Sequence, residues 1–263
     1  MSFVSRKAAP QRILLIRLSA LGDVVVTTPI IHACRQRHPG ARIDFAVGEA
    51  AAPLVQHHPD LDQVVIIPQA KIRQLRQAGQ WRALWALLVQ VRGQLRARRY
   101  DLAVDCQGLL KSGLVAWISG APVRIGLGSR EGSNWLVQQV VARDPTPRHI
   151  SGPYRQLAQA LGWPTEPFDL QIGLTDVIRA SAQALRPDTQ PYLLLCPYTT
   201  RPQKHWFDDS WVALSQWIRR QHPEITLLIL GGPEDREAGS ALAAAAGAVS
   251  LAGHTSLLEA AAL

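Results

Sequence analysis

The sequence predicts an α/β protein made of two Rossmann-like, parallel-sheet domains, the second of them incomplete. Three observations carry this. Short β-rich runs alternate with longer helical stretches, which is the pattern of βα units. The alternation breaks once, where Pro164, Pro167, Gly173, Pro187 and Pro191 crowd together, and then it restarts. A chain of 263 residues has room for two domains of ordinary size. The boundaries that follow are 1–165 for the first domain, 166–190 for a linker and 191–263 for the second.

Taken in order, the first strand is 12–18 (RILLIRL), and a helix over 23–37 follows it, stopping before Pro39-Gly40. Strands at 42–47 (RIDFAV) and 63–67 (QVVII) come next. Leu84, Leu87, Leu88, Val91 and Leu95 recur at helical spacing and predict a helix over 81–99. Strand 101–105 (DLAVD), helix 107–118, strand 123–126 and helix 154–161 complete the first domain. The linker holds one short helix, 176–185. Beyond it come strand 192–196, helix 208–221, strand 225–230, helix 234–246, strand 248–251 and a last helix from Ser256. The closing SLLEAAAL reads as a helix still in progress, with no glycine or asparagine cap and no basic last turn. Three strands also fall short of the about five or six that a doubly wound sheet uses. A truncated chain is therefore expected.

Composition narrows the class. Lys and Arg number 28 against 20 Asp and Glu, for a net charge of +8, and mean hydropathy is close to zero. That is an ordinary globular composition, not a disordered one. Cys34, Cys106 and Cys196 lie too far apart for a CxxC motif and are too few for a disulfide framework, so a reducing compartment is expected. The apolar run 13–16 is too brief for a signal-peptide core. No stretch approaches the ~18 apolar residues of a membrane span. No HExxH, GxSxG or Walker A motif occurs, nor any paired metal-ligand spacing, so neither a metal nor a cofactor is expected.

In open parallel sheets ligands sit beyond the carboxyl ends of the strands, so the strand-to-helix junctions are where chemistry is sought. At Ser19-Ala20-Leu21-Gly22-Asp23, the carboxylate of Asp23 reads either as a helix N-cap or as a general base at a strand tip. At Asp105-Cys106-Gln107-Gly108-Leu109-Leu110-Lys111-Ser112, Asp105 and Lys111 read either as a cap with a solvated lysine or as a polar pocket wall. After YLLLC comes TTRPQKHW, in which Thr199 and Thr200 read either as turn formers or, with Lys204 and His205, as an anion cradle ahead of a helix N-terminus. At Leu230-Gly231-Gly232-Pro233-Glu234-Asp235, the carboxylates read as caps or as partners of ribose hydroxyls. The glycines 126–132 are spaced GxGxxxG and follow a late strand, so they are not a dinucleotide fingerprint.

As an ordered series, SxxGD, DxQGLxKS, TTRxxKHW and a glycine turn with carboxylates resemble the inverting GT-B glycosyltransferases of the ADP-heptose family. The resemblance runs from Arg12 to Leu263. It implies transfer of a heptose from ADP-heptose to the Kdo of the lipid A inner core, with inversion and without a metal. It makes Asp23 the catalytic base, and Thr199, Thr200 and Lys204 the holders of the donor phosphates, with Lys204 offsetting charge on departing ADP. Asp235 takes the place of a ribose-binding carboxylate, with Glu234 as an alternative. Arg73, Arg76 and Arg130 would meet Kdo carboxylates or lipid A phosphates, groups that the planar guanidinium binds bidentately. Family members also carry a late Asp-Thr-Gly-x-x-His block at the donor phosphates. The chain stops before it, which implies weak or absent activity, or a remnant that only binds acceptor. A related transferase with another donor or acceptor is the other alternative.

The charge excess is local. Lys71, Arg73, Arg76, Arg82, Arg92, Arg96, Arg98 and Arg99 all fall between Asp62 and Asp101, a stretch with no acidic residue. With Trp81 and Trp85 on the leucine-rich side of the same helix, this face reads either as a solvated basic surface or, as preferred here, as one that meets an anionic inner-membrane surface, giving a cytoplasmic, peripheral protein. No nucleic-acid motif accompanies it, so nucleic acid is not expected as a partner.

Overall fold

The computed structural model describes residues 9–129, 131–144, 146, 149–199 and 201–263, with Pro202 lacking a described side chain. The chain divides into two units, Met1–Gly173 and Leu174–Leu263.

The first unit is built on β1 (Arg12–Ile16), β2 (Arg42–Gly48), β3 (Gln63–Ile67), β4 (Leu102–Asp105), β5 (Val123–Leu127) and β6 (Gln139–Val141). All neighbours pair in parallel in the order β3-β2-β1-β4-β5-β6, with Ile13 opposite both Ile43 and Leu102. The helices are α1 (Leu21–Arg37), α2 (Ala52–Gln56), α3 (Gln69–Gln77), α4 (Trp81–Ala97), α5 (Leu110–Ile118) and α6 (Gly152–Leu161). Strand residues alternate between faces, and both faces are covered. Leu14, Ile16, Ala46, Val65 and Ala103 pack with Val91 and Leu95 of α4 and Val115 and Ala116 of α5. Ile13, Leu15, Ile43 and Phe45 are buried on the other side, where α1 packs against α2 and α6.

Several elements differ from expectation. β6 is three residues long and carries no readable period. α3 was not among the expected helices; it is mostly polar and buries only Leu75. α1 starts at Leu21, two residues before the expected start, so Asp23 lies inside its first turn and is not the N-cap; Ala20 takes that place. α5 starts at Leu110 and not at 107, because Gly108 adopts φ +66°. A Cβ there would also lie 2.7 Å from the carbonyl oxygen of Leu127, so the turn requires glycine.

The second unit holds β7 (Tyr192–Leu195), β8 (Thr226–Ile229) and β9 (Val249–Ser250), a parallel three-stranded sheet in that order. Its helices are α7 (Asp176–Ala184), α8 (Asp208–Gln221), α9 (Arg236–Ala246) and α10 (Leu257–Ala262). Leu195, Ile218, Leu227, Ile229, Leu242 and Ala243 form its core. α7, expected as part of a linker, packs against α10, where Ser181 hydrogen-bonds Glu259. α9 starts at Arg236, after a short 3₁₀ turn at Pro233–Asp235. α10 has a complete capping box: Ser256 Oγ accepts from Glu259 N at 3.2 Å, and Glu259 Oε2 accepts from Ser256 N at 2.7 Å. Among the described residues no helix is long and apolar enough to cross a membrane.

Candidate active site

In the first unit the strand order reverses between β1 and β4, and the crevice beyond the carboxyl ends of those two strands is where such sheets bind ligands. Two of the sequence blocks meet there. Lys111 Nζ, from the first turn of α5, donates to Ser19 Oγ at 2.7 Å. Gln107 bridges the same loops: its Oε1 accepts from Leu18 N at 2.9 Å, and its Nε2 donates to Ser19 Oγ at 3.3 Å. Gln69, opening α3, donates to the Leu18 carbonyl at 3.4 Å, which brings the start of that helix to the same place. Arg73 and Arg76 follow along α3, and both are exposed.

Asp23 stands at this crevice with its side chain half exposed. Arg17 meets its Oδ2 at 2.5 Å, and the Ala20 N–H donates to the same oxygen at 3.3 Å. Among the described residues Oδ1 has no hydrogen-bond partner. Arg17 itself is buried at the end of β1, reaches the Cys106 carbonyl at 3.4 Å and lies 5.8 Å from the centre of the Tyr154 ring. A buried guanidinium with so few acceptors depends on its carboxylate partner. No Cβ contact would arise at Gly22 within 4 Å, so the surface beside Asp23 is open.

Asp105 does not line this surface. It is fully buried, and its Oδ1 accepts from Gln107 N at 2.9 Å and Gly108 N at 3.0 Å, which makes it the cap of the loop. Burial pushes its carboxyl above the ordinary range against those two N–H bonds, and among the described residues Oδ2 has no hydrogen-bond partner. For Lys111, burial and then nearby Arg17 push the ammonium below its usual value, with Glu131 opposing. Arg143 ties the neighbouring loops together, donating to the Gln107 and Gly128 carbonyls at 2.5 and 2.9 Å. Arg130 lies outside the described residues.

In the second unit the loops after β7 and β8 are adjacent. A Cβ on Gly231 would lie 2.8 Å from the Tyr198 ring and 2.9 Å from the Asp235 side chain, so glycine permits their close approach. Burial pushes the Tyr198 hydroxyl upward, and Asp208 and Asp235 add to this. Thr199 Oγ1 accepts from Arg201 N at 3.0 Å, and His205 Nε2 sits 2.8 Å from the Thr199 carbonyl, so both shape the loop. Lys204 is exposed; Thr200 lies outside the described residues. The helix expected to support an anion, α8, carries Asp208 and Asp209 in its own first turn. Those carboxylates offset its dipole, and the N–H groups of Thr199, Arg201 and Lys204 already donate within the loop, so an anion here relies on the Lys204 ammonium. Asp235 accepts from Gly232 N at 2.8 Å through Oδ2, while Glu234 is exposed. Among the described residues no group of three or more His, Cys, Asp or Glu side chains is placed to hold a metal ion.

Arg17, Gln107, Arg143 and Tyr198 were not assigned from the sequence. Arg17 had a signal, being the one charge inside an apolar strand run. Arg143 had none, since it acts only on backbone carbonyls.

The model of glycosyltransferase family 9 (heptosyltransferase) matches residues 88–263. Lipopolysaccharide heptosyltransferase 1 of Pseudomonas aeruginosa is 30% identical over 89% of this chain and 64% of its own length. The Salmonella typhimurium protein of that name is 29% identical over 77% and 63%. The chain thus spans less than two thirds of the length of these relatives, and matches extend to lipopolysaccharide heptosyltransferases 2 and 3. The Escherichia coli heptosyltransferase WaaC solved with ADP superposes with a TM-score of 0.71 at 25% identity, covering 91% of this chain and 74% of that one. The fold is GT-B, with two parallel-sheet units. The chain belongs to glycosyltransferase family 9, the heptosyltransferases.

Proposed function

We propose that the chain transfers heptose from ADP-heptose to the Kdo of the lipid A inner core in lipopolysaccharide core biosynthesis, with inversion. The observation that carries this is the half-exposed Asp23 carboxylate at the β1/β4 crevice, held through Oδ2 with Oδ1 open. In this role Oδ1 takes the proton of the acceptor hydroxyl as its oxygen bonds to the anomeric carbon. The bond from that carbon to the ADP phosphate breaks on the opposite face. Lys204, with Thr199 and Thr200, offsets the charge that develops on departing ADP. Glu234 and Asp235 are the candidates for the ribose hydroxyls, and Glu234 is the freer of the two. Arg73, Arg76, Arg130 and Lys111 are assigned to acceptor carboxylates or phosphates. Asp105 supports the pocket by fixing the loop of Gln107 and Gly108.

The blocks VDCQGLLKSG and TTRPQKHW favour the type 1 acceptor, as does the identity of 29–30% to type 1 relatives against 24–25% to type 2. Matches to types 2 and 3 make a different core acceptor the second reading. The test is incubation with ADP-heptose and a panel of Kdo-lipid A and heptosylated acceptors, read by product mass and ADP release. One heptose added to the Kdo acceptor supports the proposal. Addition only to a heptosylated acceptor supports the second reading, and acceptor binding without product contradicts catalysis.

A further inference from the structure

The layer formed by α3, α4 and α5 lies on one face of the first sheet, and its outer side is unusual. At about 100° per residue, Trp81, Arg82, Trp85, Val89, Arg92 and Arg96 of α4 fall in one sector about 100° wide. That sector is exposed: Trp81 is 64% exposed, Trp85 70% and Val89 50%. The side of α4 that packs on the core is Val91 and Leu95 with half-buried Leu84, Leu87 and Leu88. The tryptophans were expected on that leucine-rich side and instead stand in solvent among the arginines. On neighbouring α5, Leu110, Leu114 and Trp117 recur at helical spacing and are exposed as well. Lys71, Arg73 and Arg76 extend the basic character across α3.

The acidic groups facing this layer stand at its margins. Glu49 accepts from Gln69 N at 3.0 Å at the start of α3, and Glu131 accepts from Leu110 N at 3.3 Å at the start of α5. Arg98 does not belong to the surface, because it donates to buried Asp44 at 3.0 Å. Seven of the eight basic residues between Asp62 and Asp101 therefore remain on the surface.

We propose that the outer face of α3, α4 and α5 docks on an anionic phospholipid surface, with α4 lying in the plane of the headgroups. Indoles are the side chains that settle at the boundary of headgroup and acyl chain, and arginines on the same face reach the phosphates. A second copy of the chain is a poor occupant. A two-fold interface would set this cationic face against itself. The proposal goes beyond heptosyl transfer and is tested without a Kdo acceptor, so either can fail alone.

The experiment is sedimentation of the chain with phosphatidylcholine vesicles, with and without phosphatidylglycerol, at low and high salt. Binding is expected only with the anionic lipid, and salt is expected to weaken it. Arg82→Gln with Arg92→Gln should lower affinity about fivefold for each arginine removed. Trp81→Ala with Trp85→Ala should lower it about tenfold or more, whereas Trp217→Ala on α8 leaves it unchanged. All these side chains are exposed, and circular dichroism checks that the variants fold. Equal binding to neutral vesicles, or insensitivity to either double variant, overturns the proposal. So does a dimer that the tryptophan variant dissolves, or single-stranded nucleic acid that displaces the vesicles at equal concentration.

Discussion

Arg17 and Asp23 form an unequal pair, because the guanidinium is buried and the carboxylate is half exposed. Removing Asp23 leaves a charge inside the protein with only a long carbonyl contact and an aromatic face. Removing Arg17 leaves a carboxylate that water can solvate. Asp23→Ala should therefore destabilise the chain by about 1–3 kcal/mol, and Arg17→Met by clearly less, as read from urea midpoints. Asp105 gives a pH signature. Its folded-state value lies above the unfolded one, so the folded chain holds the proton more tightly. Stability then falls as pH rises from the ordinary carboxylate range through the raised value. Asp105→Asn should gain on the parent across that window and hold a constant difference above it, in urea midpoints taken from about pH 3.5 to 7. The placement of Asp23 and Lys111 at the β1/β4 crevice was legible in the sequence because each sits at a strand-to-helix junction. The burial of Asp105 was not, since a carboxylate that caps a loop and one that faces a ligand share the same position in the chain.

Among the elements, two helical glycines separate packing from propensity. A Cβ on Gly113 of α5 would lie 2.7 Å from the Ser133 Cβ, so Gly113→Ala should cost about 1–3 kcal/mol by overpacking. Gly93 in α4 has nothing within 4 Å, and Gly93→Ala should stabilise by about 0.5–1 kcal/mol. Chemical denaturation of both variants checks the pair of opposite signs. Long amphipathic segments were readable: α8 was expected at 208–221 and forms Asp208–Gln221. α3 was not readable, because one buried leucine among polar residues makes no period. The outward tryptophans of α4 were misread because period alone does not say which stripe meets the core.

At the scale of the whole molecule, the net charge of +8 is the property of one helical layer, and the chemistry is assigned to loops at strand ends. The two parallel sheets were legible from the rhythm of the chain, and the β1/β4 crevice followed from sheet order, which no local motif encodes. The most direct test of the chemistry is the steady-state rate of heptosyl transfer by the parent and by Asp23→Asn, with ADP-heptose binding measured alongside. A base at Asp23 predicts a loss of about 10²–10⁴-fold in turnover with donor affinity unchanged. Turnover by Asp23→Asn within a few fold of the parent would contradict it.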